Sequence, residues 1–283
     1  MQRKFYAWNR ISPSVQDWET DLVELERVPT IQMVLRPQNL VALTDAASVG
    51  AEKFRGLAVR LKNFQKRQQL RKLLITSSIK GEGKSVISAN LAVTLARQAQ
   101  RVLLVDCDLH QSGLRQVLGS QGELGLSDWS KQSDSVVGFL RRIEDVSLWY
   151  LSAGQETDNP VEIFQSAQFS KMLNQAGRWF DWVILDSPPL IPVADSSVLA
   201  SQVDGTLLIV RRGTTPKPLL QEALKTDGLK LLGVVANEWV NSGHPYYGQY
   251  YSAYSTRHAQ EPTPQLPNGT PHRSLSAGAA DSL

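Results

Sequence analysis

The sequence predicts an α/β fold, a mostly parallel sheet with helices on both faces, running into a disordered C-terminal tail. Three observations predict it. Short apolar runs recur without polar alternation (KLLITSS, RVLLVD, WVILD, TLLIV, LLGVVAN), as strands buried on both faces require. Segments of helical period lie between them, so strands and helices alternate along the chain. From Ser242 onward the pattern dissolves into Gly, Pro, Ser, Thr and Tyr, and after Tyr254 no aromatic residue remains to anchor a core.

Residues 1–50 mix proline, charge and short apolar pieces and read as an extension laid over a core. A domain over 51–241 follows, then a tail over 242–283. The spacing of Phe54, Leu57, Leu61 and Phe64 predicts a helix over 51–69. KLLITSS (72–78) is a buried strand entering a Gly-rich loop, VISANLAVTLARQ (86–98) has helical period, and RVLLVD (101–106) is a second strand. SLWYLSAG (147–154) holds a third. Asn159-Pro160 opens a helix that closes at Gly177, because Asn caps well and Pro suits the first helical position. WVILD (182–186), TLLIV (206–210) and LLGVVAN (231–237) complete the strands, with a helix over 217–226 between the last two. Asp195, in ADSSVLA, reads as a helix N-cap.

At 283 residues, 42% hydrophobic and 20% charged, the composition is that of an ordinary globular protein. A net charge of +3 makes no case for nucleic acid, and none is expected as a partner. The charge is uneven, however: Lys53 to Lys72 holds eight Lys or Arg and no Asp or Glu. Such a run is a solvated helix face or, more sharply, a contact for anionic lipid headgroups or an acidic partner. One cysteine, Cys107, excludes an intramolecular disulfide and a CxxC metal site. No apolar run reaches the length of a membrane span, and no apolar leader follows the basic N-terminus. A cytoplasmic location is expected, with any hold on a membrane supplied by another molecule.

SSIKGEGKS (77–85) sits between a strand and a helix, where a phosphate loop belongs. Gly83, Lys84 and Ser85 match the pattern G-x-x-x-x-G-K-[ST], and Ser78 takes the place of its first glycine. Backbone N–H groups of residues 81–85 can wrap a phosphate chain at the helix N-terminus. Lys84 would neutralise the β- and γ-phosphates, and the Ser85 hydroxyl would ligate Mg²⁺. Ser78, Lys80, Gly81, Glu82, Gly83, Lys84, Ser85 and Val86 are therefore candidate nucleotide contacts. Two acidic strand ends accompany the loop: VLLVDCD ends in Asp106 and Asp108, and WVILD ends in Asp186. Carboxylates there face the ligand crevice of a parallel sheet. They can hold Mg²⁺ or take a proton from a nucleophile. One such Asp alone would more simply cap a turn; three in step with a phosphate loop point to the site.

These motifs resemble the bacterial tyrosine kinases of capsular and exopolysaccharide loci, within the P-loop MinD/ParA-related ATPases. The resemblance covers roughly residues 50–254 and rests on TSSIKGEGKS, LLVDCD, FDWVILDSPP, VDGTLLIVRRGTT, GVVAN and a terminal tyrosine cluster. It implies a P-loop NTPase sheet, ATP and Mg²⁺ as cofactors, and Lys84, Asp106 and Asp108 as catalytic residues. Asp106 and Asp108 would assist the attacking hydroxyl and organise the metal, with Asp106 as the candidate base. Ser85, Asp108 and Asp186 would serve the metal, and Asn237 would contact the adenine. The tyrosine cluster would be the substrate: Tyr246, Tyr247, Tyr250, Tyr251 and Tyr254 are the phosphoacceptors implied, with one subunit's tail entering a neighbour's site. Each phosphate adds roughly −1.5 to −2 charge, so a modified tail should loosen the assembly.

The family also implies a homo-oligomer phosphorylating in trans, a cognate tyrosine phosphatase, and a separate membrane-embedded chain-length regulator (Wzz-like) that activates the domain and holds it at the inner face of the membrane. The function implied is an autokinase regulating polysaccharide polymerisation and export. Departures from the family pattern fall at Lys80 and Ser112, where relatives have Pro, and at His110, where they have Arg. In the ring-forming E-x-x-R-x-x-R motif, Glu52 and Arg55 match but Ala58 replaces the second Arg, with Arg60 nearby. Two other functions compete: a MinD/ParA-like ATPase switch that uses water as nucleophile, and an ATP-binding scaffold without phosphotransfer.

Overall fold

The computed structural model describes residues 25, 28–31 and 40–238, apart from 121, 133–134, 144–145 and 192. These lie in the first of two compact units, Met1–Ser242. The tail with its five clustered tyrosines, and most of the 1–50 extension, lie outside the described residues.

Eight strands form one sheet in the order β1-β4-β5-β3-β6-β2-β7-β8. They are β1 (Thr30–Ile31), β2 (Lys72–Ser77), β3 (Val102–Asp106), β4 (Leu140–Ile143), β5 (Leu148–Leu151), β6 (Trp182–Asp186), β7 (Gly205–Arg211) and β8 (Leu231–Asn237). Every pairing is parallel except β4 with β5. The central strands β2, β3 and β6 carry unbroken apolar runs because each successive side chain of the run enters a different core. Leu73, Ile75, Val102, Leu104, Trp182 and Ile184 enter one; Leu74, Leu103, Val105, Val183 and Leu185 enter the other. Burying each such side chain stabilises the fold by about 1.5–3 kcal/mol.

One face is covered by α1 (Val41–Thr44), α2 (Val49–Arg67), α3 (Lys84–Arg97) and α4 (Gly113–Leu118). The other is covered by α5 (Leu126–Trp129), α6 (Pro160–Gln165), α7 (Ala167–Trp179) and α8 (Asp195–Gln202). The last helix, α9 (Lys217–Ala223), buries Ala223 in a small third cluster with Leu190 and Leu208.

The expected helix over 159–177 is two helices. Ser166 is extended, and its Oγ accepts the Phe169 N–H at 3.0 Å, starting α7 afresh. The bend sets Phe164 edge-on to Phe169, with ring centroids 5.3 Å apart. Gly177 does not stop α7, which runs on to bury Trp179. LLGVVAN is a strand but not a doubly buried one: β8 is the sheet edge, and Leu231 and Val234 are exposed. Asp195 is not a cap; Ala194 holds that position and no side chain caps α8.

Part of the extension belongs to the core. Leu25, Val28, Leu40 and Ala42 are buried, and β1 pairs with β4. The ring motif is turned to internal use: Arg55 bonds Glu52 and the Ala46 carbonyl, and Ala58 is fully buried.

Candidate nucleotide and metal site

The loop leaving β2 turns at Gly81 (φ 86°) and Gly83 (φ 91°), the left-handed region that glycine reaches without strain. Its shape is braced from below. Buried Glu82 accepts the Ile79 N–H at 3.0 Å and the Thr215 hydroxyl. Arg211 donates to the Gly81 carbonyl at 3.2 Å and Asn237 Nδ2 donates to the Glu82 carbonyl at 2.9 Å. With its carbonyls engaged from outside, the loop's remaining N–H groups and the first turn of α3 favour an anion.

Lys84 opens α3 and is nearly buried, yet donates no hydrogen bond to any described residue. Asp108 and Asp186 attract its charge from a distance, and with no hydrogen bond of its own the ammonium can hold a negative ligand in the space beside it. A cavity of about 500 Å³ lies over it. Lys80, Gly81, Gly83, Lys84, Ser85, Val86 and Asp108 from the expected set line this cavity, together with His110, Gln111, Gly113 and Pro188. Lys80 reaches across the mouth to Gln111 Oε1.

The remaining expected residues lie around that lining. Ser78 and Glu82 are buried, and Glu82's side chain braces the loop. Asp106 and Asp186 are register partners on β3 and β6, both fully buried. Asp186 Oδ1 accepts the Ser88 hydroxyl at 2.8 Å, while its buried Oδ2 has no hydrogen-bond partner. Burial raises the Asp186 pKa to about 6, against the lowering effect of Ser85 and Lys84. Burial raises the Asp106 pKa to about 8, with repulsion from Asp186 adding to it. Asp108 is raised too, by burial, offset by the Gln111 N–H it accepts at 3.0 Å and by Lys84.

This donor set fits Mg²⁺. A hydroxyl on the phosphate loop and an orphaned carboxylate oxygen beneath it are the few protein groups that such an ion takes when phosphates and water supply the rest. Cation binding would also offset the burial that raises these carboxylates.

Asp106 is placed otherwise than expected of a base. Its Oδ1 accepts the Asp108 N–H at 3.2 Å, and its Oδ2 accepts the Ser112 hydroxyl and, at 3.4 Å, the Tyr150 hydroxyl. Neither oxygen is open to a phenol. Asn237, expected at the adenine, spends both ends of its amide locally, on Glu82 O and on the Glu238 N–H. Sequence reasoning missed Tyr150, which reaches Asp106 from β5, and the true partner of Asp195. His110 Nε2 lies 2.7 Å from Asp195 Oδ2.

A lysine on a glycine loop, lining a cavity with carboxylates at the adjoining strand ends, is the arrangement of a P-loop nucleotide-binding protein. The family model of the CobQ/CobB/MinD/ParA nucleotide binding domain matches residues 73–247. The tyrosine-protein kinase YwqD of Bacillus subtilis is 32% identical over 216 residues, 75% of this chain and 91% of that one. The succinoglycan biosynthesis transport protein ExoP of Rhizobium meliloti is 30% identical over 75% of this chain and 28% of its own length. The solved kinase domain of the Escherichia coli tyrosine kinase ETK superposes with TM-score 0.65 at 26% identity, over 72% of this chain and 82% of that one. Within the P-loop class, the chain belongs to the bacterial tyrosine-protein kinases.

Proposed function

We propose that this kinase transfers the γ-phosphoryl group of ATP to tyrosines of its own C-terminal cluster, Tyr246, Tyr247, Tyr250, Tyr251 and Tyr254, and thereby regulates exopolysaccharide polymerisation and export. The observation that carries the reading is Lys84: nearly buried in the lining of the cavity and without a hydrogen-bond partner among the described residues. Lys84 and the N–H groups of 81–85 hold the phosphates, with Lys80 at the mouth and Val86 in the lining. Ser85, Asp108 and Asp186 hold Mg²⁺, which when bound would neutralise charge developing on the phosphates. Asp106 fixes the acidic segment by accepting from Asp108 and Ser112. Asn237 steadies the loop through the Glu82 carbonyl.

The tail would act in trans within a homo-oligomer and be reset by a cognate tyrosine phosphatase. Among the described residues no helix is long and apolar enough to cross a membrane. ExoP, more than three times as long as the aligned stretch, supports a partner: a membrane-embedded chain-length regulator would activate this chain and hold it at the inner face of the cell membrane. The test is incubation of the purified protein with Mg-ATP, with and without that partner, and mapping of modified residues by mass spectrometry beside a Lys84→Met control. Phosphate on Tyr246–Tyr254, absent from the control, is expected. ADP without phosphotyrosine would replace the kinase by an ATPase switch.

A further inference from the structure

We propose that His110, oriented by Asp195, is the group that receives the phenol of the incoming tyrosine. The inference rests on the kinase reading above and assigns it a catalytic residue and a positioning residue.

Phosphoryl transfer to a phenol needs an acceptor for the O–H at the cavity, since a phenol with an ordinary pKa near 10 arrives protonated. The carboxylates of the site are poorly placed for it. Asp106 is fully buried with both oxygens occupied, and Asp186 lies buried beneath the loop. Asp108 lines the cavity but is assigned to the cation.

His110 lines the same cavity and its side chain is 46% exposed. Asp195, only 3% exposed, sits in the first turn of α8 and meets it at 2.7 Å. A carboxylate at this distance accepts from Nε2–H, and that bond selects the tautomer: the neutral ring then offers Nδ1 as acceptor. Nδ1 has no protein partner among the described residues. The pair is thus a ring of fixed orientation with one nitrogen spent on a buried carboxylate and the other available to a ligand. Asp195 reaches it from an element remote in sequence, which is why a cap in ADSSVLA was the natural expectation.

In the step itself the tyrosine oxygen bonds to the γ-phosphorus as the bond from that phosphorus to the β–γ bridging oxygen breaks. ADP leaves, and the phenolic O–H, held toward Nδ1 during the approach, gives up its proton to solvent. Each transfer releases one ADP, so loss of the acceptor should slow phosphotyrosine formation and the ADP that accompanies it while leaving nucleotide affinity in place.

The experiment measures phosphotyrosine and ADP together in the full-length protein with its activator, for wild type, His110→Ala, Asp195→Asn and the double variant. His110→Ala should lower the rate of phosphotyrosine formation on the order of tenfold or more. Its affinity for a fluorescent ATP analogue should stay within about twofold, and added imidazole should restore part of the transfer. Asp195→Asn should lower that rate less, about threefold, and add little to His110→Ala, the mark of residues acting as one unit. A wild-type rate of phosphotyrosine formation in His110→Ala overturns the proposal while leaving the kinase intact. A fall matched by an equal loss of affinity for the ATP analogue also overturns it, making His110 a nucleotide contact. A wild type that forms ADP but no phosphotyrosine overturns the kinase reading and this proposal with it.

Discussion

The two walls of the cavity are built by different means. The phosphate loop is a backbone structure: glycines with positive φ set its path, and Arg211, Asn237 and Glu82 hold its carbonyls and flank. The facing segment, 106–113, is a side-chain structure, in which Asp106, Asp108, Ser112 and His110 are tied to one another, to Tyr150 and to Asp195. A backbone wall presents generic N–H donors and suits a ligand part that never changes, the phosphate chain. A side-chain wall can be retuned residue by residue, and it faces the part that varies, the acceptor.

The contrast is open to attack in four places. The largest effect is expected at Lys84, the nearly buried cation of the backbone wall. Lys84→Met should cut both ADP and phosphotyrosine formation on the order of a hundredfold or more, because a preorganised charge on the transferring group is lost. An intact thermal transition would show that the fold survives.

Next comes Gly83→Ala. The left-handed φ alone costs about 1–3 kcal/mol, and the new methyl would overlap the Asn237 amide. Denaturant titration should register the loss and ATP affinity should fall with it. Gly83→Ala with Asn237→Ala should regain part of both; no recovery would mean that the overlap is unimportant.

A third, smaller effect is a pH dependence. Asp106 titrates near pH 8 when folded and near 3.8 when unfolded, so folding takes up a proton between those values. Its stabilising contribution is full below about pH 4 and is lost as pH rises through about 8; Asp186 acts in the same direction, up to about pH 6. The nucleotide-free protein should therefore lose stability from pH 6 to 8.5, and Asp106→Asn should flatten that slope. Parallel profiles for the two proteins in urea titrations would contradict the assignment.

The smallest effect is Tyr150→Phe, which removes one long bond to Asp106 and should cost about 1 kcal/mol. A loss several times larger would show that the side-chain wall is more rigid than its distances imply.

This division also explains what the sequence made legible. Gly83, Lys84 and Ser85 adjoin each other between a strand and a helix, so the loop could be read from local pattern, as could the carboxylates ending β3 and β6. The parallel sheet was legible for the same reason, each central strand carrying its double burial in its own apolar run. Asp195 was not legible, because its partner lies 85 positions away and a cap satisfies the same local pattern. Nor was the break at Ser166, where a serine inside an apparently continuous helix wins by capping a new one. The short β4 could not be seen either: LRRI carries two arginines, and Arg142 finds its place over the Trp149 ring only once β5 is beside it.

The strand β1 and its flanks bear on how the molecule can be shortened. Trp149 Nε1 donates to the Leu25 carbonyl, Leu25 and Val28 are buried against the sheet, and Leu40 is sealed under α2 and α3. A fragment trimmed to begin at residue 51, where the helical pattern starts, would strip these contacts and leave an indole and two apolar clefts facing water. Such a fragment would be prone to self-association for reasons unrelated to its enzymology, and a boundary upstream of Leu25 is the one that keeps the core whole.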